Sequence, residues 1–185
     1  IEVVTTAGQN DTFTLNGVTG LTFNGGAGTD TVTLQAAGGD AVTVSGIETV
    51  TGSAGADNVS ITAADLTSVT IDGAGATDTL TITTGNADLT GATLSNLESL
   101  THSATTGNIT FTVNDTHLAA FTSVTTAGAT GTISAGADTT VDLTGVATAT
   151  NVTTASSTGT NTTFTVDDAN LSAFSVFTSG GTAGV

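Results

Sequence analysis

Lysine and arginine are absent from all 185 residues, and so are cysteine, proline, methionine, tryptophan and tyrosine. Soluble domains are usually about 25% charged with both signs mixed, whereas this chain is 9% charged and, with sixteen acidic residues, carries a formal charge of -16. With no side-chain cation to offer phosphate, the chain is excluded from nucleic-acid binding and from anionic membrane surfaces. Without cysteine it has neither disulfides nor thiolate metal sites, so any staple is built from oxygen. No apolar run reaches membrane-spanning length, and no basic segment followed by an apolar one opens the chain. Trypsin-like proteases find nothing to cleave. The chain begins at Ile1 and contains no methionine, as expected of a processed product or an excerpt.

What remains is mostly Thr, Ser, Gly and Ala, together with enough aliphatic residues to build a core. High net charge favours disorder, but here the charge is sparse and 37% of the residues are hydrophobic, so a folded chain is expected. Short runs alternate threonine with β-branched or leucine residues: Thr12-Phe13-Thr14-Leu15, Thr31-Val32-Thr33-Leu34, Ala41-Val42-Thr43-Val44, Asn58-Val59-Ser60-Ile61, Thr79-Leu80-Thr81-Ile82 and Ile109 to Val113. This period of two predicts half-buried strands. Gly-Ala-Asp-Asn stretches between them predict turns, and no segment shows a helical stripe.

Internal similarity bears on the architecture. Phe111-Thr-Val-Asn-Asp-Thr-His-Leu-Ala-Ala-Phe121 returns as Phe164-Thr-Val-Asp-Asp-Ala-Asn-Leu-Ser-Ala-Phe174, 53 residues later. A shorter apolar-x-x-apolar signature starts at Val18, Ile47, Leu66, Leu97, Leu118 and Leu171. The spacing, 19 to 31 residues within most of the chain, suits coils of a parallel β-solenoid. The expected fold is therefore an all-β parallel solenoid forming a single repetitive domain over residues 1–185, with the inward residues, Phe111 and Phe164 among them, stacked coil on coil. A β-sandwich is the alternative.

The turns carry the chemistry. Gly25-Gly26-Ala27-Gly28-Thr29-Asp30-Thr31-Val32-Thr33 matches the nonapeptide G-G-x-G-x-D-x-U-x at every position. Glycines admit positive φ, and the aspartate adds a carboxylate to the turn's carbonyls, an oxygen set of the kind calcium takes. Degenerate copies end at Asp57, Asp40, Asp78 and Asp11, and a weaker one starts at Gly136. In these motifs, and in Gly46-Ile47-Glu48-Thr49-Val50-Thr51-Gly52 leading into the second copy, the chain resembles the RTX-type calcium-binding repeats of secreted bacterial proteins, adhesins and surface layers. The resemblance is strong over residues 8–82 and faint beyond.

It implies calcium held between neighbouring turns, with Asp30 and Asp57 as leading ligands and Asp40, Asp78 and Asp11 behind them. The aspartates step by 19, 10, 17 and 21 residues and not in tandem nonapeptides. The competing reading is a Gly-x-Asp turn whose aspartate caps its own backbone.

His102 and His117 are the only imidazoles, and the 53-residue repeat puts Asn170 in place of His117, as expected of a polar surface position and not of a zinc ligand. Asn114-Asp115 and Asp167-Asp168 occupy matching places and are expected to cap turns. Seven Asn-x-Ser/Thr sequons follow from the abundance of Ser and Thr.

The expected function is structural: an extracellular or bacterial cell-surface protein that self-assembles, end to end or laterally, into a surface layer, fibre or biofilm matrix stabilised by calcium. The alternative is an adhesin module binding surface polysaccharide, although the aromatic platforms sugars favour are missing. No catalytic cluster stands out, and an enzyme is not expected.

Overall fold

The computed structural model describes residues 2–138 and 140–180. Strands form where threonine alternates with a β-branched or leucine residue. They are β1 (Glu2–Thr5), β2 (Thr12–Leu15), β3 (Thr19–Asn24), β4 (Thr31–Leu34), β5 (Ala41–Ser45), β6 (Thr49–Thr51) and β7 (Asn58–Ile61). After a 3-10 turn at Ala63–Thr67 come β8 (Thr70–Asp72), β9 (Thr79–Ile82), β10 (Ala87–Asp88), β11 (Thr93–Ser95), β12 (Ser99–His102) and β13 (Asn108–Thr112). Helix α1 (Asp115–Ala120) precedes β14 (Ser123–Thr126), β15 (Thr130–Ser134), β16 (Thr140–Asp142), β17 (Thr148–Thr150), β18 (Val152–Ser157) and β19 (Thr163–Thr165), and helix α2 (Asp168–Ala173) precedes β20 (Val176–Ser179).

Every described strand pair is parallel. A sandwich is built from antiparallel neighbours, so the parallel solenoid is the fold. One face is an eight-stranded sheet in the order β1-β3-β5-β7-β9-β12-β14-β17. The others are β11-β8-β6-β4-β2, β10-β13-β15-β18-β20 and the pair β16-β19.

Successive coils on the eight-stranded face are offset by 17 residues at the shortest, Val42 against Val59 (59 − 42), and by 25 at the longest, Val124 against Ala149 (149 − 124). The 31-residue step expected from the Leu66 and Leu97 signatures is not a coil. Leu66 leads toward β8 on one face and Leu97 toward β12 on another, so the signature marks turns at different corners.

The core is a set of in-register columns. Val42, Val59, Leu80, Leu100 and Val124 stack in one, and all are buried. At about 25 cal/mol per Å² of apolar surface, such columns supply the main drive to fold. Phe111 and Phe164 both belong to this packing, but in different columns. Phe111 pairs with Ala87 and Ile133, and Phe164 with Val141. The 53-residue repeat thus returns one face out of phase, because it spans more than two whole coils.

Two six-residue helices interrupt the strands where no helical stripe is visible in the sequence. Both are held by a capping box. The Asn114 side chain accepts from the His117 N–H (3.0 Å) while the His117 ring takes the Asn114 N–H, and the Asp167 side chain accepts from the Asn170 N–H (2.9 Å) while Asn170 Oδ1 takes the Asp167 N–H (3.1 Å). A reciprocal cap of this kind satisfies orphan amides, and it suffices for a helix of one and a half turns.

Candidate metal centre

The nominated aspartates all sit at one kind of place, the residue immediately before a strand. There the chain leaves a turn, and its N–H points along the solenoid axis toward the next coil. In the first column Asp40, Asp57 and Asp78 precede β5, β7 and β9. Val18 N–H donates to Asp40 Oδ1 (2.6 Å), Asp40 N–H to Asp57 Oδ1 (2.6 Å), Asp57 N–H to Asp78 Oδ1 (2.7 Å) and Asp78 N–H to Glu98 Oε2 (2.8 Å). In the second, Asp11 N–H donates to Asp30 Oδ1 (2.7 Å) and Asp30 N–H to Glu48 Oε2 (2.7 Å). The structure therefore brings Asp40, Asp57 and Asp78 into one ladder and Asp11 and Asp30 into another. The side chain of Asp11 itself is half-buried and takes no part.

The second carboxylate oxygen has a separate task. Asp40 Oδ2 accepts the Ala36 N–H (3.1 Å) and Asp57 Oδ2 the Ser53 N–H (2.7 Å), each four residues back in the same turn. In the turns of Asp30 and Asp78 that amide is diverted. Gly26 N–H goes to Asn24 Oδ1 (3.1 Å) and Ala74 N–H to Asp72 Oδ1 (3.0 Å). As a result Asp30 Oδ2 and Asp78 Oδ2 are buried with no hydrogen-bond partner.

These two free oxygens are the place to test calcium. The ion takes about six to eight oxygens in an open shell. Of the eight oxygens on Asp30, Asp40, Asp57 and Asp78, six already accept a backbone N–H. The other two lie against glycine backbone. A Cβ on Gly25 would stand 2.5 Å from Asp30 Oδ2 and 2.2 Å from the Gly46 carbonyl, and one on Gly73 would stand 2.7 Å from Asp78 Oδ2 and 1.9 Å from the Asn96 carbonyl. Among the described residues no three His, Asp or Glu side chains are grouped to hold a metal. As placed, the four buried aspartates cap backbone amides between coils and within their own turns through six of their oxygens, and the other two, Asp30 Oδ2 and Asp78 Oδ2, have no partner.

Burial pushes the Asp78 carboxyl above its ordinary value. The Asp57 amide opposes this, while the carboxylates of Asp57, Glu98 and Asp72 add to it. Asp72 shifts the other way: the Asn96 side-chain amide (2.7 Å) lowers it, against a weaker effect of burial.

Glu48 and Glu98 are members of these ladders that the sequence reading left out. Their signal is a shared pentapeptide: a positive-φ residue, an apolar residue, Glu, a hydroxyl residue and a second apolar residue. It occurs as Gly46 to Val50 and Asn96 to Leu100, with φ of 55° at Gly46 and 51° at Asn96. Both sit opposite the turns whose aspartate keeps a free oxygen.

Neither histidine is a surface residue. His102 is 1% exposed, with Nε2 on the Gly85 carbonyl (2.8 Å) and Nδ1 accepting the Ala104 N–H (3.0 Å). His117 is 5% exposed, with Nε2 on the Ala92 carbonyl (3.2 Å). Asn170, 1% exposed, reaches the Val146 carbonyl (2.9 Å) in the same way. The exchange of His for Asn in the repeat thus reflects two side chains able to do one buried job, as acceptor to the cap and donor to the preceding coil. His117→Asn is expected to change stability by less than about 0.5 kcal/mol. His117→Ala, which loses the ring's half of the capping box and strands the Ala92 carbonyl, should cost about 2 kcal/mol in chemical denaturation.

No family model, curated protein or solved structure matches the chain.

Proposed function

We propose that this chain is a structural module of an extracellular layer, fibre or matrix, and that it works by continuing its own coil stacking. The observation that carries this reading is the pair of open ends. Among the described residues strand β1 bonds only β3 and β20 only β18, which leaves parallel edges ready to take another strand, while helix α2 packs on β17. The large apolar side chains that remain exposed lie at these ends: Val3 in β1 (60%), Val176 in β20 (43%) and Leu171 in α2 (58%). In the assembled protein a further coil covers each edge, supplied either by flanking sequence of the same polypeptide or by another copy. The absence of basic residues suits an exterior rich in proteases.

Calcium has a different place in this reading from the one the turns suggest. The ladders hold coil to coil by themselves, while copies carrying -16 each repel until a divalent counter-ion lies between them. Chelation with EGTA should therefore disperse assemblies seen by electron microscopy while shifting the melting temperature of the dispersed chain by less than about 2 °C, since an ion absent from the fold contributes no linkage. Assemblies that persist after exhaustive chelation would overturn calcium as the counter-ion, and a large fall in melting temperature would restore it as a ligand of the fold.

A further inference from the structure

The outward face of the eight-stranded sheet is a lattice of hydroxyl groups. Thr22, Thr43, Ser60, Thr81, Thr101, Thr125 and Thr150 occupy one in-register row that crosses seven strands. Two residues back along each strand a second row runs Asn58, Thr79, Ser99, Ser123 and Thr148. Four successive coils thus present hydroxyl-x-hydroxyl: Thr79 with Thr81, Ser99 with Thr101, Ser123 with Thr125 and Thr148 with Thr150. None of the pairings from β5 to β17 contains a register shift; the one irregularity on this face lies between β3 and β5, at Thr19 and Leu21.

Charge avoids this lattice. From β3 to β17 no strand of the sheet contains an acidic residue; the acids of these coils stand in the turns just before the strands or on the neighbouring faces. Strands β13, β15 and β18 are also free of acids and carry shorter rows, Thr110-Thr132-Thr154 and Thr112-Ser134-Ser156, so the eight-stranded sheet is the larger of two such faces. Aromatic side chains, the usual platform for sugar rings, are missing from its outward positions as well.

We propose that this face binds ice. Strand spacing sets one repeat of the hydroxyl lattice at about 4.8 Å, and two residues along a strand set the other at about 6.7 Å. The oxygens of an ice prism face repeat with closely similar steps along two perpendicular directions. Threonine suits such matching because its β-branch restricts χ1 and so fixes methyl and hydroxyl in place. A charged side chain would organise its own hydration shell and break the order, which accounts for the exclusion of the acids. An aromatic ring would stand proud of the plane. This inference is independent of the assembly proposed above, because the face lies along the solenoid and not at its ends.

The test is partition of the full chain into a slowly growing ice hemisphere, with recrystallisation inhibition as a second readout. The wild-type chain should be enriched in the ice fraction over a co-dissolved inert protein. The double variant Thr101→Lys/Thr125→Lys should lose most of that enrichment. The control Thr106→Lys, exposed in the turn between β12 and β13 and outside the rows, should keep it, with circular dichroism checking that all three chains are folded. Exclusion of the wild-type chain from ice would overturn the proposal, as would equal enrichment of the double variant. Concentration-dependent dimers that the same two substitutions abolish, without ice enrichment, would assign the face to a second copy of the chain instead.

Discussion

Asp57→Asn should cost about 3 kcal/mol at neutral pH, while the same change at Asp78 should be neutral or stabilising within about 1 kcal/mol. The two residues are neighbours in one ladder and almost equally buried, so burial does not separate them. What separates them is the second oxygen. Both oxygens of Asp57 are in use, by the Asp40 N–H (2.6 Å) and the Ser53 N–H (2.7 Å). Asparagine would set an NH2 group against one of these amides whichever way it turned, and a buried donor facing a donor forfeits the bond and adds repulsion. Asp78 needs only one acceptor, for the Asp57 N–H (2.7 Å), and its other oxygen has no partner. Asparagine keeps the needed acceptor and removes a desolvated charge.

The pH dependence has a definite sign. Asp78 titrates above its ordinary value in the fold because of burial first, with Asp57, Glu98 and Asp72 adding to it. A folded pKa above the unfolded one means that the fold holds the proton more tightly, so this group favours folding at low pH and loses that contribution as pH rises through the ordinary carboxylate range to the raised value. Above that value its cost is complete. Urea denaturation at a series of pH values should therefore show Asp78→Asn gaining on wild type as pH rises from about 4 toward neutrality. Equal losses in the Asp57 and Asp78 variants, measured with calcium present, would mean that the free oxygen of Asp78 serves a cation.

Much of the fold was legible because a solenoid repeats its physics in every coil. Thr31-Val32-Thr33-Leu34 and Ala41-Val42-Thr43-Val44 read as strands and are strands, and period two correctly put Val32, Leu34, Val42 and Val44 inside. The Gly-x-Asp segments read as turns and are turns. Sequence spacing could not say which face a strand joins, since turns of different length lie between strands of equal pattern. That is why Leu66 and Leu97 looked like one coil, and why Phe111 and Phe164 looked like one column. The helices were illegible for another reason. Asp115–Ala120 is too short to show a 3.6-residue stripe, and only the Asn114-x-x-His117 cap announces it.

The aspartates were legible in the sequence, but the amides that their carboxylates cap were not. A Gly-x-Asp turn offers the same letters whether its carboxylate faces an ion or an amide. The difference lies in residues that the motif does not include: the preceding coil's strand-leading amide, and the side chain two residues before the diverted amide. Asn24 and Asp72 occupy that second position where an oxygen is left free, while Leu34 and Thr51 occupy it where both oxygens are filled. A polar Asx side chain there is the sequence signal that distinguishes the two kinds of turn.

Gly73→Ala should lower stability by about 3 kcal/mol, the upper part of the range for overpacking, and the loss should come from backbone collision and not from left-handed strain. Gly73 does not have positive φ, so alanine is conformationally permitted. Its Cβ, however, would stand 1.9 Å from the Asn96 carbonyl of the next coil and 2.7 Å from Asp78 Oδ2. The carbonyl cannot swing away, because Asn96 is fixed at φ 51° and Leu97 and Leu100 on either side of the Glu98 turn are buried. The Asp78 side chain cannot yield without giving up the Asp57 amide. Relief requires the two coils to separate, which breaks the Gly73 N–H bond to Ser95 (3.0 Å) and the Glu98 and Ser99 N–H bonds to the Asp78 carbonyl (3.1 and 3.0 Å). In a stack where each coil contacts only its neighbours, such damage stays local. Amide hydrogen exchange should therefore show protection lost at β8, β9 and β12 and retained at β18. Gly107→Ala makes the complementary control: nothing lies within 4 Å of its Cβ, but its φ is 88°, so it should cost only the strain of a left-handed alanine, about 1 to 2 kcal/mol. If the two variants lose the same amount, close approach between coils is not what selects glycine at position 73.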